Sequence, residues 1–110
     1  MAVSHISLPR STTRRSALAA VLPEHGADAI VVSDLVNVRY LSGFTGSNGS
    51  VLVWSGDDRD RDRIATDGRY TEQVAAQSPG LDAIIARDTL AALLAAAAGR
   101  SGSPRVAFEA

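Results

Sequence analysis

The sequence predicts an α/β domain in three layers: a mixed, mostly buried sheet of about five to six strands, with helices on both faces. Three observations predict it. Apolar runs of strand length alternate along the chain with stretches of helical period, the pattern of helices packed on a sheet. The run Ile30–Val31–Val32 is continuous and β-branched, as in a strand buried on both faces. One pair of strands is joined by the polar hairpin connection Asp57–Arg63, which makes the sheet mixed.

In chain order, residues 1–10 show no period and contain Pro9, so they read as a tail, and the domain is assigned to residues 11–110. A helix starts near Ser11 or Thr12, both good N-caps. Leu18, Val21 and Leu22 lie at i, i+3, i+4 on one face of it. Pro23 ends or kinks this helix, because it has no N–H to donate, and Gly26 suits a left-handed stop. The strand Ile30–Val32 follows and is expected to be central. "LVNVRYLSG" reads as a short helix ending at Gly43, "SVLVW" as a second strand and "RIATD" as a third. "RYTEQVAAQ" reads as a helix capped by Asp67 and stopped by Pro79 and Gly80. "LDAIIA" is a fourth strand. "TLAALLAAAA" is a helix with Asp88 as N-cap, Gly99 after its end, and Leu90, Leu93, Leu94 and Ala97 on one face. "RVAFEA" begins a fifth strand. The sequence stops directly after it, which predicts an excised piece of a longer polypeptide.

At 110 residues with 45% hydrophobic side chains, the chain suits one domain that needs no covalent staples. A chain of this size buries roughly two-thirds of its unfolded surface. It has no cysteine, so neither a disulfide framework nor a thiolate metal site is open to it, and a reducing cytoplasm is the expected location. A net charge of −1, from 11 basic and 12 acidic residues, leaves no electrostatic footprint for nucleic acid. No apolar run has the length of a membrane span, so no membrane partner is expected.

Gly43, Gly46 and Gly49 read as G-x-x-G-x-x-G, but not as a phosphate cradle. A dinucleotide fingerprint requires G-x-G-x-x-G between a strand and a helix, and a P-loop requires G-K-[ST]. Here the order is helix, loop, strand. Gly43 is explained as a helix stop, whereas Gly46 and Gly49 imply that something approaches the loop closely. His5 and His25 belong to no ligand pattern. Asp57, Asp58, Asp60 and Asp62 alternate with Arg59, Arg61 and Arg63, which reads as a solvated loop and not a metal site. Ser47 and Ser50 have no neighbouring histidine, and no G-x-S-x-G occurs. No catalytic residue is assigned. "TDGRYTEQ" remains, with Arg69 and Tyr70 at a strand end, where α/β sheets hold ligands. Arg69 either takes a carboxylate in a bidentate pair or pairs with an acidic neighbour, with Tyr70 packed in the core.

"DLVNVRYLSGFTGSNGSVLV" followed by "ATDGRYTEQVAAQ" resembles the N-terminal domain of the creatinase/prolidase family, with the look of bacterial Xaa-Pro aminopeptidases and dipeptidases. The pattern is Asn37, Tyr40, Leu41, Gly43, Phe44, Gly46, Gly49, then Thr66, Asp67, Arg69 and Tyr70, and the resemblance runs from about Arg14 to Ala110. It implies a ribonuclease H-like sheet followed by a pita-bread catalytic domain. That second domain binds two divalent metals, commonly manganese, and cleaves the bond before proline. None of its metal ligands can be placed in this sequence, so the segment alone is expected to be inactive and to carry no cofactor. The resemblance further implies that this domain shapes the substrate cleft and makes oligomer contacts, with dimers expected. Asn37, Tyr40, Phe44, Asn48, Arg69 and Tyr70 are then the cleft or interface residues. Phe44 or Tyr40 is expected to be unusually exposed. Two other readings stay open: a stand-alone α/β module that binds a ligand or protein, and the equivalent domain of a creatinase-like amidinohydrolase.

Overall fold

The computed structural model describes residues 9–99 and 102–109. Five strands form one mixed sheet: β1 (Ala29–Val32), β2 (Gly49–Trp54), β3 (Arg63–Thr66), β4 (Asp82–Ile85) and β5 (Val106–Phe108). Their spatial order is β4-β3-β2-β1-β5. β1 and β3 pair antiparallel with β2, while β4 runs parallel to β3 and β5 parallel to β1. Helices α1 (Arg10–Val21), α2 (Leu35–Ser42) and α3 (Thr71–Gln77) cover one face, and α4 (Thr89–Ala98) covers the other.

The alternation of side chains along each strand divides the core in two. Val32, Val51, Val53 and Ile64 face α1 to α3, with Val38, Leu41, Phe44 and Val74. Ala29, Val31, Leu52, Trp54 and Ala65 face α4, with Leu93 and Ala97. The middle strand is β2, buried along its whole length. β1, expected to be central, is interior and stands one place from the middle of the sheet, which β2, the longest strand, occupies between β1 and β3.

Local chemistry sets the helix ends. Asp34 caps α2 by accepting from the N–H groups of Val36 and Asn37, and Gly43 stops it at φ 79°. Asp88 caps α4 through Ala91 N. Asp67 caps a short 3₁₀ turn (Gly68–Tyr70) that leads into α3. Pro23 opens another 3₁₀ turn after α1, closed by Gly26 at φ 70°.

Four expectations are corrected. α1 begins at Arg10, and Pro9, not Ser11 or Thr12, precedes it; Pro9 O accepts from Thr12 N and no side chain caps the end. The tail reading otherwise falls on residues 1–8, outside those described. Of the expected α1 face, Leu18 packs against the core and Leu22 is buried just past the helix end, but Val21 is exposed, and Arg15 and Ala19 are the buried residues of the helix, Arg15 turning inward to an ion pair. On α4 the buried stripe is Thr89, Leu93 and Ala97; Leu90 and Leu94 lie on its exposed flank. Finally, the charged run is not wholly solvated. A 3₁₀ turn at Arg59–Arg61 swings Asp62 into the interior, where it is 1% exposed.

Candidate functional site

The register of the sheet brings the carboxyl ends of β1, β3, β4 and β5 and the amino end of β2 to one rim. Residues that follow these strands, or precede β2, meet there: Ser33, Asn48, Asp67, Arg87 and Glu109. A cleft of about 680 Å³ opens on this rim, lined by residues that include Ser33, Asn48, Ser50, Arg87 and Thr89. Its floor is a chain of hydroxyls. Ser50 Oγ shares hydrogen bonds with Ser33 Oγ (2.9 Å) and Thr89 Oγ1 (2.8 Å).

The six sequence-predicted residues fall into two groups and a buried pin. Asn48, Arg69 and Tyr70 form the first group around Asp67. Asn48 Nδ2 donates to Asp67 Oδ2 (2.9 Å) and to Arg87 O (3.4 Å). Arg69 presents its fork to the same carboxylate, Nε to Oδ1 and Nη2 to Oδ2, both at 2.9 Å. Of the two readings of Arg69, the geometry therefore takes the pair with an acidic neighbour. Hydrogen bonds from the Arg69 and Asn48 side chains hold the Asp67 carboxyl far below the usual carboxylate range, and Asp67 in turn raises Arg69. Tyr70 Oη shares a hydrogen bond with Ser47 Oγ (2.5 Å), which lowers the phenol below its ordinary value.

Asn37 and Tyr40 form the second group, on α2. Asn37 Nδ2 donates to Glu109 Oε2 (2.6 Å), while Glu109 Oε1 accepts from Ser33 N and Asp34 N. The end of β5 thus fastens the start of α2. Tyr40 is 53% exposed, with the Arg14 guanidinium 4.2 Å above its ring.

Phe44 is the pin. Its ring is 1% exposed and meets Tyr70 edge-on at 5.5 Å. The expectation that Phe44 offers an apolar surface is therefore corrected, and that of an exposed aromatic is met by Tyr40. The glycines supply the reason. A Cβ on Gly46 would lie 2.2 Å from the ring's Cζ, and one on Gly49 would lie 3.1 Å from Cε2. What approaches the loop closely is the protein's own Phe44.

Sequence reading did not single out Glu109, Arg87 or the Ser33–Ser50–Thr89 hydroxyls as site residues. Glu109 lies 72 residues from Asn37, so no local pattern could pair them.

The depressed Asp67 gives a prediction. A group whose folded pKa lies below its unfolded value of about 3.9 adds stability above that value, and loses it as pH falls towards the folded pKa. Asp67→Asn should therefore flatten the acid limb. Between pH 5 and pH 2, on the order of the titration window, the urea midpoint should fall less in the variant than in the wild type. Parallel curves would contradict the assignment.

Comparison with known proteins places this geometry. The profile of the creatinase/prolidase N-terminal domain matches residues 14–110. The chain is similar to the N-terminal, creatinase/prolidase-like domain of a protein from Corynebacterium diphtheriae (TM-score 0.82, 43% identity, covering 93% of this chain and 77% of that one). It is also similar to the N-terminal domain of the cytoplasmic peptidase PepQ from Mycobacterium tuberculosis H37Rv (TM-score 0.78, 48% identity, 88% and 72%). A Xaa-Pro dipeptidase from Bacillus anthracis shares the fold at TM-score 0.75 and 26% identity over 90% of this chain and 27% of its own. The uncharacterized peptidase YqhT of Bacillus subtilis (strain 168) is 37% identical over 84 residues, which are 76% of this chain and 23% of YqhT. The chain thus spans less than a quarter of the length of that curated relative. By the matched profile and these likenesses, the chain belongs to the creatinase/prolidase N-terminal domain family.

Proposed function

We propose that this chain is the non-catalytic N-terminal domain of an Xaa-Pro metallopeptidase, an aminopeptidase or a dipeptidase, working in the cytoplasm. In that setting it shapes the substrate cleft of a C-terminal catalytic domain and contributes to dimer contacts. The observation that carries the reading is the family match over residues 14–110, in a chain whose likeness to a Xaa-Pro dipeptidase covers 27% of that protein. The relatives above are described as peptidases, which favours this reading over an amidinohydrolase or a stand-alone module.

Two divalent metal ions, manganese in this reading, belong to the catalytic domain. Among the described residues no three His, Asp or Glu side chains converge to hold an ion, so no hydrolytic step is assigned to this chain. Its contribution is positional. Asp67 clamps Asn48 and Arg69 into one rigid wall, and the exposed side of Arg69 keeps Nη1 outside that clamp for a substrate carboxylate. Tyr40 offers the exposed aromatic face.

The test is hydrolysis of Ala-Pro peptides with manganese, by the purified 110-residue chain and by the longer polypeptide that contains it. The chain alone should be inert and the longer form active. Arg69→Ala in the longer form should lower kcat/KM by about tenfold without changing metal content. Turnover by the chain alone above a chelator-treated control, surviving repurification, would overturn the reading. So would a metal-loaded longer form without Xaa-Pro activity.

A further inference from the structure

The end of the sheet opposite the rim carries a cavity of its own. β2 ends there at Trp54, and β3 begins at Arg63, which pairs with Leu52 across the ladder. Leu52 and Trp54 face α4. Arg63 stands two residues before Ala65, which also faces α4, so it lies on the same side. The last turns of α4 meet this corner with Ala95, Ala96 and Gly99, none of them larger than a methyl. The space left between sheet and helix is about 290 Å³, and Arg61 and Arg63 line it.

Both guanidinium groups are held in place, and neither has its fork taken by a carboxylate. Arg61 lies 4.3 Å above the Trp54 ring. That ring is a fixed floor: Trp54 is buried, its N–H donates to Asp62 Oδ1, and its carbonyl accepts from Arg59 Nη2. Among the described residues the Arg61 side chain enters no ion pair, although Asp57, Asp58 and Asp60 share its loop. Arg63 Nη1 donates to Asp60 O and Asp62 O, which fixes that side chain through one nitrogen. Its Nη2 is 3.7 Å from Asp82 Oδ2, beyond hydrogen-bond distance, and the Asp82 side chain is 81% exposed, so water weakens its hold. The other arginines with ion pairs differ. Arg15 and Arg59 close on the buried Asp62, and Arg69 gives its fork to Asp67.

We propose that this cavity binds a small organic oxyanion, a carboxylate or a phosphate, between the forks of Arg61 and Arg63, with its apolar body against Leu52 and the alanines of α4. A guanidinium stacked on a ring keeps its N–H groups in one plane, ready for bidentate recognition of either oxyacid. The volume stands at the low end of ligand pockets, about 300–1,000 Å³, which selects a small molecule over a macromolecular surface. The occupant ties the Arg59–Arg61 turn to the end of α4. It therefore braces, from outside, the loop that delivers Asp62 to its buried partners. The site shares no residue with the rim cleft.

Trp54 is the one tryptophan of the chain, so its fluorescence reports on the cavity. The experiment titrates the 110-residue chain with inorganic phosphate and with propionate, each against sodium chloride at equal ionic strength. Both anions should change the fluorescence saturably, phosphate at the lower concentration because its dianion meets both forks. A response to one anion alone would support the site and assign the oxyacid. Backbone amide shifts should centre on residues 61–63 and 95–99. Arg61→Met and Arg63→Met should each raise the half-saturating concentration by about tenfold or more, the loss of a charge-assisted contact. Ala96→Leu should fill the cavity and abolish the response while the urea midpoint holds. Arg39→Met, on the exposed side of α2, should change nothing. A response no larger than that to chloride would overturn the proposal, as would amide shifts centred elsewhere. So would wild-type half-saturation in both arginine variants, or, if these fail to fold, in Ala96→Leu. Binding is read and not turnover, so the result is independent of the peptidase assignment.

Discussion

Asp62→Ala should destabilise the domain by about 3–5 kcal/mol, the loss seen when one partner of a buried ion pair is removed. Asp62 Oδ1 accepts from Trp54 N at 3.0 Å, and Oδ2 accepts from Arg15 Nε at 3.0 Å with Arg59 Nη1 3.5 Å away. Arg15 is itself 3% exposed and donates through Nη1 to Leu41 O at 2.8 Å. Arg59 fastens Arg15 O, Trp54 O and Gly56 O, and its buried Nε has no hydrogen-bond partner among the described residues. Without Asp62, two guanidinium groups would face each other in the interior with no anion between them. Burial pushes the Asp62 carboxyl up and the Arg15 guanidinium down, while their hydrogen bond and opposite charges act on each in the other direction. The pair Arg15→Met with Asp62→Leu should therefore recover part of the loss, since it replaces one ion pair with apolar volume but leaves Arg59 and Trp54 N without the carboxylate. Urea denaturation of the three chains measures both effects. A single variant within about 1 kcal/mol of wild type, the range of an exposed pair, would contradict the buried-hub assignment.

The same residue shows what the sequence can and cannot disclose. Strands and helices were legible because they rest on local information: the β-branched run of β1, the caps Asp67 and Asp88, the stop at Gly43. The alternation of sheet and helix then follows from burying each apolar face. Asp62 was misread because its own neighbourhood, alternating Asp and Arg, is that of a solvated loop. Its burial depends on a 3₁₀ turn and on an arginine 47 residues upstream. Glu109 is hidden in the same way, since only the completed β1–β5 pairing carries it to Asn37. Around the rim, Asn48, Asp67, Arg69 and Tyr70 were legible as a motif, but the motif does not state which way each side chain is directed. Asp67 takes Arg69 and Asn48 for itself, and Phe44 turns inward because two positions beside it carry no side chain.

Phe44→Ala should cost about 3–5 kcal/mol, the range for truncating a buried aromatic ring. Its slot is bounded by Gly46, Gly49 and the edge-on ring of Tyr70, and the ring packs with Val38, Leu41, Val51 and Val74. Tyr70 is tied to Ser47 and the loop is held at Thr66 Oγ1, which donates to Asn48 O at 2.6 Å, so the walls collapse only in part. Gly46→Ala attacks the slot from the opposite direction. The added methyl would overlap a ring that is 1% exposed and has no room to retreat, an overpacking that costs about 1–3 kcal/mol or more. The two substitutions should not add. In the Phe44→Ala background the Gly46 methyl enters the vacated slot, and Gly46 is not among the positive-φ glycines, so its cost should vanish or turn into a gain of up to about 1 kcal/mol from the stiffer unfolded chain, giving a strong coupling in the double-mutant cycle. Urea midpoints of the four chains measure that coupling. Additive losses would mean that Gly46 is required for its backbone alone and that the glycine loop does not enclose the ring.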